Sequence, residues 1–133
     1  MTITQVSKKY DISADTLRYY ERIGLIPPVD RTKSGIRDYT ESDCNWVRFI
    51  KCMRAAGLPI EALIEYVALS QQGDSTIEAR RQILVEEREK LEKRISEMNE
   101  TLERLNYKID KYKSLAMRFP GSDSEACGNV KKD

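Results

Sequence analysis

A heptad repeat in the second half of the chain limits the possible folds more than any other feature. Apolar or aromatic residues recur every seven positions at 77, 84, 91, 98, 105 and 112. A second series runs through 95, 102, 109 and 116, so the two series alternate at intervals of three and four. This seam is typical of a coiled coil. A helix over residues 77–117 would be about 60 Å long, and no other segment could form a partner helix of that length. We therefore expect a second copy of the chain to cover the seam.

The interface of this predicted homodimer consists of the side chains that line the seam. They are Leu84, Leu91, Ile95, Met98, Leu102, Leu105, Ile109 and Tyr112. Mixed charges between them, as at positions 86–90, suit the solvated sides of a coiled coil. Residues 74–118 are therefore predicted to form a dimerisation helix. Residues 119–133 are polar and contain a Pro-Gly pair, which predicts a flexible tail.

The N-terminal residues have the pattern of two short helices joined by a tight break. Ile3, Val6 and Tyr10 recur at helical spacing. Ser13 can cap a second helix, and Gly24 can end it. This arrangement is typical of a helix-turn-helix motif, which we place at about residues 4–23.

A turn-rich segment separates these helices from two more. Paired prolines at positions 27 and 28 exclude a helix, and a Ser-Gly turn at 34–35 predicts a β-hairpin wing at about residues 25–39. Thr40 can cap a third helix, and Pro59 can occupy the first position of a fourth. The predicted fold is mainly α. A winged helix-turn-helix domain of four helices and a small β-hairpin spans residues 1–72, and the long C-terminal dimerisation helix follows it.

The residue types available exclude most kinds of enzyme. The chain has no histidine and three cysteines, Cys44, Cys52 and Cys127, without Cys-x-x-Cys spacing. A histidine-dependent nucleophile or zinc site is therefore impossible. The sequence also has no Gly-rich phosphate loop and no cofactor fingerprint. We expect a protein with no catalytic site, no cofactor and no metal site.

The apolar runs, the first residues and the cysteine count predict where in the cell the chain is located. No apolar run reaches the roughly 18 residues of a membrane span, and the first residues lack the apolar core of a signal peptide. An odd number of cysteines without an export signal favours reduced thiols. The sequence thus predicts a cytoplasmic chain with no membrane contact.

The second predicted helix carries polar and cationic side chains opposite its apolar positions. Residues 1–37 contain seven basic and four acidic residues. Arginines and hydroxyl groups suit contacts with phosphates and base edges in a major groove. The candidate DNA-binding residues of this helix are Thr16, Arg18, Tyr19 and Arg22. Lys33 and Arg37 add positive charge on the predicted wing.

Two motifs and the seam helix carry a family resemblance. The run Thr-Leu-Arg-Tyr-Tyr-Glu-Arg-Ile-Gly-Leu-Ile-Pro at 16–27 and the run Gly-Ile-Arg-Asp-Tyr at 35–39 resemble those of the MerR family of bacterial regulators. The resemblance covers about residues 1–117. It departs from the family at Ile36, where an aromatic residue is usual. It implies DNA contacts at Arg18, Tyr19, Arg37 and Tyr39, with Thr16 and Lys33 as further contacts.

The resemblance also implies a mechanism of regulation. Members of the family dimerise through an antiparallel coiled coil and bind a pseudo-palindromic operator in double-stranded promoter DNA. The spacer between the two elements of that promoter is too long for RNA polymerase to engage both. When the effector is sensed, the regulator kinks and undertwists the DNA, so that RNA polymerase engages both promoter elements. The cost of deformation is offset by phosphate contacts. RNA polymerase would thus be a partner only through the promoter.

The class of effector is inferred from the features that distinguish the subgroups of the family. Drug-sensing relatives carry a large C-terminal ligand domain, whereas only a short predicted tail follows the coiled coil in this sequence. Metal-sensing relatives carry cysteines near the start of the dimerisation helix, where this chain has Asp74, Ser75 and Thr76. The run Phe-Ile-Lys-Cys-Met-Arg-Ala-Ala-Gly-Leu at 49–58 instead resembles the subgroup often called AdhR- or NmlR-like. That subgroup senses aldehydes and other electrophiles through one cysteine, here Cys52.

The sequence leaves the reactivity of Cys52 and the choice of effector open. Nearby cations (Arg48, Lys51 and Arg54) could stabilise its thiolate, whereas the dipole at the helix C-terminus disfavours an anion. One alternative is a metal- or metalloid-responsive regulator that uses Cys127 with cysteines of the partner chain. Another is a coiled-coil adaptor whose winged helix does not bind DNA.

Overall fold

The computed structural model describes residues 1–118, which form five α-helices and one 3-10 turn. The helices are α1 (Ile3–Tyr10), α2 (Ala14–Ile23), α3 (Glu41–Ala55), α4 (Ile60–Ser70) and α5 (Ile77–Arg118), and the turn is Asp74–Thr76. The predicted mainly α fold is confirmed. The predicted tail and Cys127 lie outside the described residues.

Side-chain caps fix where the first three helices begin. Thr2 and Thr40 each accept a hydrogen bond from the backbone N–H three residues on, as part of a capping box. Ser13 caps α2 by accepting a hydrogen bond from the backbone N–H of Thr16, without a capping box, and each such cap contributes about 1 kcal/mol. Gly24 ends α2 with a φ of 85°, a conformation that disfavours residues with a side chain. The N-terminal helix boundaries therefore follow from local sequence.

The apolar core lies within the first compact unit of the chain, Met1–Arg88. Its fully buried side chains come from every helix of the N-terminal half and from the residues after α2. They are Val6, Leu17, Leu25, Ile26, Tyr39, Val47, Ile50, Leu63 and Val67. Four short helices thus share one core, in which a fully buried aliphatic side chain contributes about 1.5–3 kcal/mol.

The predicted wing is a narrow loop closed by one β-bridge. Arg31 and Arg37 form this antiparallel bridge, and the backbone N–H of Thr32 donates to the carbonyl of Ile36 at 2.7 Å. The guanidinium of Arg31 also donates to the carbonyl of Gly35 at 2.9 Å. No extended strand is assigned within residues 1–118, so the expected hairpin is reduced to a single bridge around the predicted turn.

Pro59 is the N-cap residue of α4, one position before the first helical position that the sequence predicted for it. A hydrogen-bonded turn then joins α4 to α5. The hydroxyl of Thr76 donates to the carbonyl of Leu69 at 2.7 Å, and Arg80 donates back to that hydroxyl at 3.0 Å. Gly73, which precedes the turn, has a φ of 89°. These contacts set the point at which α5 begins.

Most apolar seam positions of α5 are open to solvent in the isolated chain. The large exposed hydrophobic residues of the seam are Ile77, Leu84, Ile95, Met98, Leu102, Leu105, Ile109 and Tyr112. No helix within residues 1–118 has the length and apolar character needed to cross a membrane. Exposure of a heptad seam is the state expected of a coiled-coil helix without its partner.

Leu102→Glu should therefore dissociate the dimer. A charge at a seam position would be buried without a counter-ion, which costs several kcal/mol, and we expect the dimer dissociation constant to rise at least about 100-fold. Sedimentation equilibrium measures it. Tyr107→Glu is a matched control, because Leu102 and Tyr107 are both 53% exposed but position 107 lies off the seam. Equal loss of dimer in both variants would contradict the seam assignment.

Candidate DNA-binding surface

Helix α2 divides its side chains between the core and the solvent. Leu17 and Tyr20 are buried, whereas Arg18, Tyr19 and Arg22 are exposed. Side chains three and four positions apart share a helix face. Burial of Leu17 and Tyr20 on one face of α2 therefore leaves the three exposed side chains on the other. The exposed side of α2 therefore presents two guanidinium groups and one phenol.

These exposed side chains are held only by weak local contacts. Arg18 donates to the carboxylate of Asp15 at 2.8 Å, but Asp15 is 96% exposed, so the pair adds little stability. The guanidinium of Arg22 lies 5.3 Å from the ring centroid of Tyr19. The hydroxyl of Thr16, a half-buried residue, accepts a hydrogen bond from that of Ser13. The two arginines can exchange these contacts for stronger charge-assisted bonds to phosphate.

A carboxylate on the flank of α2 ties this helix to the wing. Oε1 of Glu21 accepts a hydrogen bond from Nε of Arg37 at 2.7 Å, and Oε2 accepts one from the backbone N–H of Val29 at 2.9 Å. The side chains of Glu21 and Arg37 are 15% and 22% exposed. Arg37 was predicted from the sequence as a DNA-binding residue, whereas Glu21 was missed. Glu21 is one of four acids among residues 1–37, and its partners Val29 and Arg37 lie 8 and 16 residues away along the chain.

The surroundings of Glu21 favour its charged form. Burial by itself would raise the pKa of Glu21. The hydrogen bonds from Arg37 and Val29, with the positive charges of Arg37 and Arg31, outweigh that effect. The net pKa therefore lies below the usual value of 4.5. The carboxylate is ionised at neutral pH and acts as the counter-ion of the wing.

The structure assigns the two remaining wing residues different places. Lys33 is exposed at the tip of the loop. Tyr39 is only 2% exposed, and its buried hydroxyl has no hydrogen-bond partner among residues 1–118. Burial raises the pKa of Tyr39, and the nearby Arg37 partly opposes this. Tyr39 therefore lies in the core, and the direct DNA contact expected of it does not fit its position in this structure.

The two described cysteines differ in accessibility. Cys52 is exposed on α3, whereas Cys44 is buried. Within residues 1–118, no group of three Cys, Asp or Glu side chains is placed to hold a metal ion. Of the two described thiols, that of Cys52 is therefore the more accessible to a reagent from solvent.

The cations around Cys52 are bonded to backbone or amide oxygens. Nζ of Lys51 donates to the carbonyl of Tyr10 at 2.6 Å, and Arg54 donates to the carbonyl of Leu58 at 2.6 Å. Arg48 donates to a neighbouring asparagine side chain. None of these three cations donates a hydrogen bond to the sulfur of Cys52. Lys51 instead connects α3 to the C-terminal end of α1.

The chain is similar to known helix-turn-helix regulators. The chain matches the family described as "MerR HTH family regulatory protein" over residues 1–69 and that described as "MerR, DNA binding" over residues 45–107. It is 63% identical over 91 residues to the HTH-type transcriptional regulator AdhR of Bacillus subtilis. That match covers 68% of this chain and 65% of the regulator, so about a third of AdhR lies outside it.

Two solved structures are similar over most of their length. A MerR family regulator from Listeria monocytogenes has a TM-score of 0.86 and 48% identity, with 89% of each chain covered. HiNmlR, described as a MerR family regulator lacking the sensor domain and bound to promoter DNA, has a TM-score of 0.78 and 27% identity. The second match covers 97% of this chain and 98% of HiNmlR.

The ion pair at Glu21 gives a pH-dependent prediction. Because the pKa of Glu21 is lower in the folded chain, its stabilisation is present above about pH 4.5 and is lost as the pH falls through the folded pKa. Glu21→Gln should lower the free energy of unfolding by about 1–2 kcal/mol at pH 7, and the difference from wild type should shrink towards pH 3.5. Urea titrations across this range measure it. A difference that stays constant with pH would contradict the ionic role.

Proposed function

The chain belongs to the MerR family of helix-turn-helix regulators, and from that premise we propose that it senses aldehydes or related electrophiles through Cys52. It is a DNA-binding transcription regulator and not an enzyme, and it binds promoter DNA as a dimer. The observation that carries the sensing proposal is the exposure of Cys52 on a helix connected to the DNA-binding motif. Since bacterial promoters lie in the cytoplasm, the proposal places the chain there.

The proposed DNA-binding surface is the exposed side of α2 together with the wing. Arg18, Tyr19 and Arg22 would enter a major groove with Thr16, while Lys33 and Arg37 would contact the adjacent backbone. The support is the exposed, weakly held cations on α2 beside a loop fixed to the same helix. An α-helix fits the major groove of B-form DNA, and each phosphate contact releases counterions.

The proposed regulation acts on the shape of the promoter. A dimer joined through the α5 seam presents two copies of α2 to the two halves of a pseudo-palindromic operator. A change in their relative placement changes the bend and twist of the bound DNA at a cost of a few kcal/mol. RNA polymerase would respond to the altered promoter rather than to a direct contact. Because the distorted promoter would let the polymerase engage both promoter elements, the chain would act as an activator.

The chemistry proposed at Cys52 needs no oxidant. The sulfur adds to the carbonyl carbon of the aldehyde, the C=O π electrons move to oxygen, and that oxygen takes the proton lost by the thiol. The product is a hemithioacetal. Lys51, the preceding residue, donates to the carbonyls of Tyr10 and Asp11 at 2.6 Å and 3.4 Å. An adduct beside this connection would disturb the packing of α3 on the helix-turn-helix motif.

Arg18→Ala tests the surface. Loss of one phosphate contact should weaken operator binding about 10-fold and reduce the slope of log K against log salt by about 0.9. Fluorescence anisotropy at several salt concentrations measures both. Lys93→Ala is the matched control, since it removes an exposed cation from α5, and it should change neither. Unchanged affinity and slope in Arg18→Ala would place the DNA-binding surface elsewhere.

Cys52→Ala tests the sensor. The variant should bind the promoter with wild-type affinity but lose transcription induced by formaldehyde or methylglyoxal, because no adduct forms on α3. Cys44→Ala should keep induction, since that thiol is buried. In vitro transcription, with intact mass to detect the adduct, measures both. Normal induction in Cys52→Ala would contradict the proposal, and loss of induction only in Cys127→Ala would favour a metal or metalloid sensor.

A further inference from the structure

Two elements of the predicted DNA-binding unit meet at one carboxylate. Glu21 comes from α2, whereas Val29 and Arg37 come from the two arms of the wing. Each oxygen of Glu21 takes one donor, at 2.7 Å from Arg37 and 2.9 Å from Val29. Charge-assisted hydrogen bonds between largely buried groups are among the stronger contacts available to a side chain. Glu21 therefore bonds α2 directly to both arms of the wing.

The charges around Glu21 make this connection stronger. Arg31 and Arg37 are opposite each other across the only β-bridge of the described wing, and both guanidinium charges act on the Glu21 carboxylate. The same carboxylate contributes to the electrostatic surroundings of Tyr39. Without Glu21, the two arginines would lose the carboxylate on which both charges act. Like charges opposite each other on paired backbone segments are destabilising.

Arg37 uses only part of its hydrogen-bonding capacity in this contact. A guanidinium group has five N–H donors in a fixed planar fork. Nε is bonded to Glu21, whereas the terminal nitrogens of Arg37 have no acceptor among residues 1–118. The same side chain can therefore hold Glu21 through Nε and donate to a DNA phosphate through its other nitrogens.

We propose that Glu21 is a positioning residue for DNA binding, which acts by holding Arg37 and the wing in register with α2. The proposal rests on the DNA-binding surface proposed above. It makes an acidic residue necessary for tight binding to a polyanion, although removal of an acid from such a surface ordinarily strengthens binding. The sign of the effect therefore separates positioning from general electrostatics.

The test compares Glu21→Gln, Arg37→Ala and the double variant by operator binding at several salt concentrations. We expect Glu21→Gln to weaken binding about 10-fold and to reduce the salt slope by about 0.9, as Arg37→Ala does. The double variant should bind the operator no more weakly than Arg37→Ala alone, since both substitutions remove the same DNA contact. Asp15→Asn is the matched control. It removes an acid from the same helix that is 96% exposed, and it should bind as tightly as wild type or more tightly.

A purely structural role would give a different result. Glu21→Gln would then lower the melting temperature but leave affinity and salt slope unchanged in the folded protein. That outcome, or tighter binding, or additive losses in the double variant, would overturn the proposal. If Glu21→Gln is unfolded at the assay temperature, Glu21→Asp supplies the answer. It keeps the charge but is one methylene too short to reach both donors, so it should also weaken binding. Wild-type binding by Arg18→Ala would instead count against the proposed surface.

Discussion

Burial of Leu17 and Tyr20 fixes α2 in the core, and the orientation of every functional side chain on that helix follows from it. A rotation of α2 that exposed these two residues would lose several kcal/mol of apolar burial. The helix therefore has one stable orientation, in which Arg18, Tyr19 and Arg22 face the solvent. Caps at Ser13 and Gly24 fix its two ends. The composition of the exposed side of α2 is thus a consequence of core packing and helical periodicity.

The wing depends on electrostatics more than on backbone pairing. A loop with one β-bridge has few backbone hydrogen bonds of its own, so its position is set largely by what it contacts. Buried Val29 and Tyr39 supply core contacts, and Glu21 supplies a polar contact that compensates the charge of two arginines. Because Glu21 and Arg37 are partly desolvated, loss of either partner would leave an uncompensated charge, which costs more than the loss of an exposed pair. Helix and wing therefore act as one surface.

Local signals in the sequence predicted the local features of the fold. The caps at Ser13 and Thr40 and the apolar seam of α5 were all visible as short-range patterns. Contacts between distant residues were not. Tyr39 matched a DNA-contacting position of the family, but its side chain points into the core. Glu21 was missed because its role depends on a partner 16 residues away.

The same limit applies to the cysteines. Sequence spacing placed three cations near Cys52, but it could not show that Lys51 and Arg54 bond to carbonyl groups. The direction of a long flexible side chain is decided by whichever acceptors the tertiary structure brings within reach. What the structure adds to the argument for Cys52 is exposure and a connection from α3 to α1. Both concern tertiary placement, which periodicity does not encode.

The proposed contact of promoter DNA with the exposed side of α2 and the wing can be measured by site-specific photocrosslinking. Benzoylphenylalanine is placed at Tyr19, at Lys33 or, as a control, at Glu86 on α5. With promoter DNA bound in each case, crosslinks should form from positions 19 and 33 and not from position 86. A crosslink from position 86, with none from position 19 or 33, would show that DNA binds a different surface.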